Sequence, residues 1–193
     1  MRYCFLALFV TQLLACASVG SIKMEPSLDV SPYALQENLA IKHWRLLGRL
    51  SVRNASESWL TKLEWRHELS VDDLTLSTSL GGVVAKLRYS NHGIVLVGAD
   101  AQARRVSENE LQSLLGYSPP LAQLKYWVRG LPDPNIGVRM SEQQIAGVFA
   151  FQQDGWAVKL ERFAKVGEMV LPSKISLSKE RLKIKLVVDE WLT

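Results

Sequence analysis

A switch of period near residue 44 constrains this chain more than any other feature. From there on, apolar residues recur at every second position. Trp44, Leu46, Gly48, Leu50 and Val52 share one face, with Arg45, Arg49, Ser51 and Arg53 mostly on the other. Trp59, Thr61, Leu63 and Trp65 alternate with Lys62, Glu64 and Arg66. Leu74, Leu76, Thr78 and Leu80 alternate with Thr75, Ser77 and Ser79. Val83, Ala85, Leu87 and Tyr89 alternate with Lys86 and Arg88, and residues 94–97 follow a turn at Asn91-His92-Gly93. After residue 145 the pattern returns in residues 145–151, in Trp156, Val158 and Leu160, in residues 169–177 and in Leu182, Ile184, Leu186 and Val188. A strand points successive side chains to opposite faces, so this alternation predicts antiparallel strands with one buried and one wet side. Pro172 marks residues 169–177 as an edge or bulged strand, because proline cannot donate to a ladder.

Helical signals interrupt the strands. Ser31-Pro32 reads as an N-cap followed by proline at the first helical position, and predicts a short helix to about His43. Ser107 with Glu110 forms a capping box, followed by Leu111, Leu114 and Leu115 on one face and Gly116 as terminator. Ser118-Pro119 opens another helix, with Leu121, Leu124 and Val128 aligned and Gly130-Leu131-Pro132 ending it. About ten strands with two or three helices inserted make a mainly β fold. A sheet of that size curls. The expected architecture is a half-open antiparallel β-barrel whose hydrophobic cavity is covered by two or three helices, with room for a small apolar ligand.

The first residues carry a different message. An apolar segment after Arg2 ends in Leu13-Leu14-Ala15-Cys16, the bacterial lipobox, whose cysteine thiol takes a diacylglyceryl group before the peptide bond preceding it is cut. The segment has the charge, apolar length and small-residue site of a processed leader, and it is too short to span a bilayer. The reading is a signal peptide over residues 1–15, an acylated N-terminus and flexible tether over residues 16–30, and one domain over residues 31–193. With Cys4 in the leader and Cys16 lipidated, no disulfide is available and the domain must be held by its core. A formal charge of +4 on a well-mixed sequence does not describe a nucleic-acid binder.

No catalytic motif survives inspection. His67-Glu68 resembles the start of a zinc-protease helix, but Val71 stands where the second histidine is required. His43, His67 and His92 lack ligand spacing and read as surface or turn residues, and Asp72-Asp73 reads as a turn. No Gly-x-Ser-x-Gly elbow, Cys-x-x-Cys pair or phosphate loop is present. No catalytic residue, metal ligand or cofactor is therefore expected. The six tryptophans, Trp44, Trp59, Trp65, Trp127, Trp156 and Trp191, fill a core or in part line a cavity. Leu80 is either the last inward residue of its strand or an apolar tip that touches something apolar, because turns otherwise favour polar residues.

Three local signatures give the chain a resemblance to the LolB family of outer-membrane lipoproteins. They are the run Trp44-Arg45-Leu46-Leu47-Gly48-Arg49-Leu50-Ser51-Val52, the strand from Leu76 into Leu80-Gly81, and Leu124-Lys125-Tyr126-Trp127-Val128-Arg129-Gly130-Leu131-Pro132. The ending Asp189-Glu190-Trp191 is similar too. Ser79 departs from the proline expected before the loop leucine, and the tether is short. The resemblance implies a monomeric receptor that takes lipoproteins from the periplasmic carrier LolA, houses their acyl chains, and inserts them into the inner leaflet of the outer membrane. It places the protein on the periplasmic face, anchored through Cys16, with acylated lipoproteins and outer-membrane lipids as its other partners. It assigns membrane insertion to Leu80 and Gly81, and the cavity to Leu63, Trp65, Leu76, Trp127, Leu131 and Phe149. The competing expectation is a structural or assembly lipoprotein of the envelope with a filled barrel core.

Overall fold

The computed structural model describes residues 35–98, 100–142 and 145–192. The lipobox with Cys16, the tether and the Ser31-Pro32 helix start lie outside the described residues. Eleven antiparallel strands form a single open sheet: β1 His43–Arg53, β2 Ser58–Glu68, β3 Val71–Ser77, β4 Val83–Ser90, β5 Gly93–Val97, β6 Ala103–Val106, β7 Val138–Met140, β8 Val148–Gln153, β9 Trp156–Val166, β10 Met169–Lys179 and β11 Leu182–Leu192. Their order is β6-β5-β4-β3-β2-β1-β11-β10-β9-β8-β7. Each strand pairs with its sequence neighbour, apart from the junction that joins β1 to β11. Two helices, α1 Glu108–Leu115 and α2 Leu121–Trp127, leave the sheet after β6 and return to it at β7. The fold is thus the expected half-open sheet with inserted helices, and it is open at two edges instead of closed.

The alternation translates directly into burial. In β2, Thr61, Leu63, Trp65 and His67 point inward and are buried, while Lys62, Arg66 and Glu68 face water. In β9, Trp156, Val158 and Leu160 do the same. Gly48 sits at a register shift between β1 and β11. A Cβ there would come within 2.5 Å of the Val187 carbonyl oxygen, so only glycine lets the two backbones approach.

The structure revises several expectations about the elements. The two unanticipated strands, β6 and β7, are too short at four and three residues to display a period. The strand expected over residues 145–151 begins at Val148, after a turn at Ala146-Gly147. The expected N-terminal helix is, among the described residues, one 3₁₀ turn at Gln36–Ala40, and β1 has already begun at His43. Pro172 lies in an interior strand: it pairs with Phe163 of β9, but pairing of β10 with β11 begins only at Lys174. The missing N–H therefore falls where the sheet has no partner on that side, which satisfies the same constraint locally.

Buried polar groups pin the layers together. The Asn38 side-chain amide donates to the carbonyls of Arg129 and Val170, both at 2.8 Å. Arg129 answers with donations to the carbonyls of Asn38 and Ile41, and burial lowers its pKa. His67 and Asp72 are not surface or turn residues. They face each other across β2 and β3, both buried, with Nδ1 to carboxylate 2.7 Å apart, and Asp72 also accepts from the Trp65 indole at 2.8 Å. Trp44 stacks on His67 at 5.2 Å between centroids and packs against Trp65 and Trp191. This aromatic plug closes the end of the sheet opposite the β3–β4 loop.

Candidate lipid-binding cavity and its loop

The inner face of the sheet, from β1–β5 and from β10 and β11, does not completely meet the underside of the helices. Between them lies a cavity of about 190 Å³. Its floor includes Leu63, Trp65, Leu74, Leu76, Leu87 and Leu96, and its roof is built from Leu111, Leu114 and Leu115 of α1 with Leu121 and Leu124 of α2. The cavity lies between two packed clusters, the main core and a smaller one made by Ile94, Val106 and Leu111 under α1. The capping box at Ser107 and Glu110 starts α1, with reciprocal bonds of 3.2 and 2.9 Å, and Gly116 at φ +74° ends it. That orientation drops the leucine stripe onto the cavity. Leu114 is nonetheless 53% exposed, at the rim. The lining carries no ion: Tyr117 is its one hydroxyl, and burial pushes that phenol up to about 12.

Of the six residues expected here, the structure brings three together. Leu63, Trp65 and Leu76 line the cavity. Trp127, Leu131 and Phe149 are placed in the packed core and outside that lining. Trp127 is turned away by its indole N–H, which donates to Gln153 at 2.8 Å, and by its packing on Phe151 and Trp156. Gln153 also accepts from the Asp133 amide and donates to the carbonyls of Asp133 and Ile136. The motif ending Gly130-Leu131-Pro132 is thereby the anchor of α2, with Gly130 at φ +92° turning the chain. The helix leucines were absent from the expected site, although their i, i+3, i+4 spacing was visible and marks a face that must cover something apolar.

Leu80 stands at the tip of the β3–β4 loop, beyond the last residue of β3, and is 98% exposed. Thr78 closes the loop, its amide donating to the Gly82 carbonyl at 2.8 Å and its carbonyl accepting from Gly81 at 3.0 Å. Gly81, at φ +92°, supplies the left-handed turn. Val83, Val84 and Leu60 are also exposed nearby on β4 and β2. An isolated exposed leucine means little, but apolar residues grouped around a protruding tip mark a contact surface.

The family described as outer membrane lipoprotein LolB matches residues 42–191, which take in both helices and every strand except the last residue of β11. The chain belongs to the LolB family. Relatives extend the match over nearly the full length: the outer-membrane lipoprotein LolB of Nitrosococcus oceani is 29% identical over 203 residues, covering 99% of this chain and 98% of that protein. LolB of Pseudomonas fluorescens is 27% identical over 198 residues, covering 100% and 96%. Among solved structures, a DUF1329 family protein from Desulfovibrio piger aligns with TM-score 0.54 at 7% identity, covering 83% of this chain and 89% of that one, a likeness of fold alone. Within the LolB match lie both the cavity and the Leu80 loop. No helix among the described residues is long and apolar enough to cross a membrane.

Proposed function

We propose that this LolB-family chain accepts the acyl chains of lipoproteins from the periplasmic carrier LolA and inserts them into the inner leaflet of the outer membrane, where the lipid on Cys16 holds it. Residues 1–15 are the leader, 16–30 the acylated tether and 31–193 the receiving domain. The observation that carries the reading is an apolar cavity roofed by two short helices, in a sheet that also projects a bare leucine. The physical demand is severe: exposing three acyl chains of roughly fifteen methylenes each to water costs on the order of 35 kcal/mol. Chains must therefore pass from cavity to cavity and then into lipid.

The resting cavity is small for this task. A void of about 150 Å³ accepts a benzene-sized ligand, whereas pockets for larger ligands run to roughly 300–1,000 Å³. Uptake then requires α1 to lift from the sheet, since the Trp127–Gln153 bond holds the end of α2. Among the described residues, α1 meets the sheet through its leucines and a 4.0 Å Arg104–Glu110 pair, and the cavity already lies between the two core clusters. Leu80 acts at the other end of the transfer. Burying one leucine in lipid contributes about 1.5–3 kcal/mol, enough to bias an encounter and too little to anchor a protein.

The test is transfer of a labelled lipoprotein from its carrier to liposomes. Leu80→Glu is expected to leave thermal stability and cargo uptake near those of the parent while delivery falls at least fivefold. Unchanged delivery removes the loop from the mechanism. A second reading, an assembly lipoprotein with a filled core, draws on the same small volume. Failure of a fluorescent fatty-acid probe to enter the full-length protein favours it.

A further inference from the structure

A groove of about 810 Å³ is lined by β1 and β7–β11. The strand register places its outward-facing side chains in two rows. One row runs Ser51, Lys185, Ser176, Lys159 across β1, β11, β10 and β9, and the next runs Arg53, Lys183, Ser178, Ala157. Serine and alanine make the floor, so the lysines and arginines stand above it as banks. Arg139 of β7 completes the far side.

This arrangement opposes its own stability. Arg53 lies directly opposite Lys183 on the neighbouring strand, and like charges so placed repel. Arg53, Lys183, Lys185 and Arg139 make no ion pair among the described residues. Lys159 is bonded to Glu161 at 3.0 Å, and Glu142 is the one carboxylate in the groove's lining. A cationic trough with so little internal compensation fits an external anion. Lys185 and Lys159 are two strands apart, about 10 Å. That is wider than one phosphate bridges and comparable with neighbouring headgroups in a packed lipid surface.

The groove's position names its partner. Arg53 ends β1 and Lys183 is the second residue of β11, while Lys62 of β2 pairs with Ser77, the last residue of β3. The Arg53–Lys183 row therefore lies at the same end of the sheet as the Leu80 loop. We infer that this groove docks the phosphate headgroups of an anionic lipid surface, so that the membrane meets one apolar and one electrostatic contact at this end. The inference rests on the reading of Leu80 as the membrane-facing tip, and the two are tested separately.

The experiment takes the full chain carrying Cys16→Ala, so that no lipid anchor competes, and measures co-sedimentation with phosphatidylcholine vesicles with or without phosphatidylglycerol. Phosphatidylglycerol should strengthen binding about tenfold at low salt, with the gain lost near 0.5 M salt. Adding Arg53→Gln, Lys183→Gln and Lys185→Gln should abolish that gain while the thermal midpoint stays level or rises, because the repulsion is relieved. Lys183→Gln alone, expected to lower the gain by a few fold, serves if the triple variant does not fold. Leu80→Glu should weaken binding to both vesicle types alike. If Leu80→Glu changes nothing while the glutamines act, the groove stands and the tip reading falls. If the triple variant keeps the full preference, or if no preference exists, the inference is overturned. Loss of cargo acceptance from the carrier without any lipid preference would point to an acidic protein face instead.

Discussion

At the scale of single residues, Gln153 shows how a motif can be legible while its purpose is not. The run Trp127 to Pro132 stands out in the sequence, and its aromatic and leucine suggest a cavity wall. The structure uses it to hold α2 in place, through a glutamine whose three polar partners lie 17 to 26 residues away. No local pattern announces such a partner. Gln153→Ala orphans the Trp127 indole and the Asp133 amide in a dry interior and should cost about 3 kcal/mol or more, read from the denaturant midpoint. His67 and Asp72 escape the sequence for the same reason: each looks polar and local, and only the β2–β3 register makes them a buried pair. Tyr117 offers a pH test. Its ordinary pKa of 10 is raised by burial to about 12. A group raised in the fold contributes its full stability below pH 10 and loses it as pH climbs through 12, because unfolding frees the phenol to ionise. Tyr117→Phe should therefore lose less thermal stability than the parent between pH 8 and pH 11. Tyr89, raised by burial too, accounts for part of the slope that remains.

At the scale of elements, the long strands were readable because their period runs for many residues with one wet face. The short edges β6 and β7 were not, since three or four residues carry no rhythm. Those short edges also suit an open sheet, whose unpaired rims would otherwise recruit other strands. Helix α1 was legible down to its caps, yet its role as a roof depended on where the sheet curls. Ser107→Ala removes the side-chain acceptor for the Glu110 amide and should destabilise the helix end by about 1 kcal/mol. Since α1 covers the cavity, the same change should quicken entry of a fluorescent fatty acid in stopped flow. An unaltered rate would mean that α1 is not the part that lifts.

At the scale of the whole molecule, strand order follows chain order through two runs, β1 to β6 and β7 to β11. Each run grows by adding a hairpin to the last one. The seam between β1 and β11 is different, since it brings Arg53 beside Lys183 and Leu46 beside Trp191 from opposite ends of the described chain. Closing so long a loop is slow compared with forming hairpins, and it waits for the last strand to be present. Until β11 is in place, the chain accordingly holds two half-built greasy surfaces. The interval in which those surfaces lie bare to other chains ends only when β11 zips home.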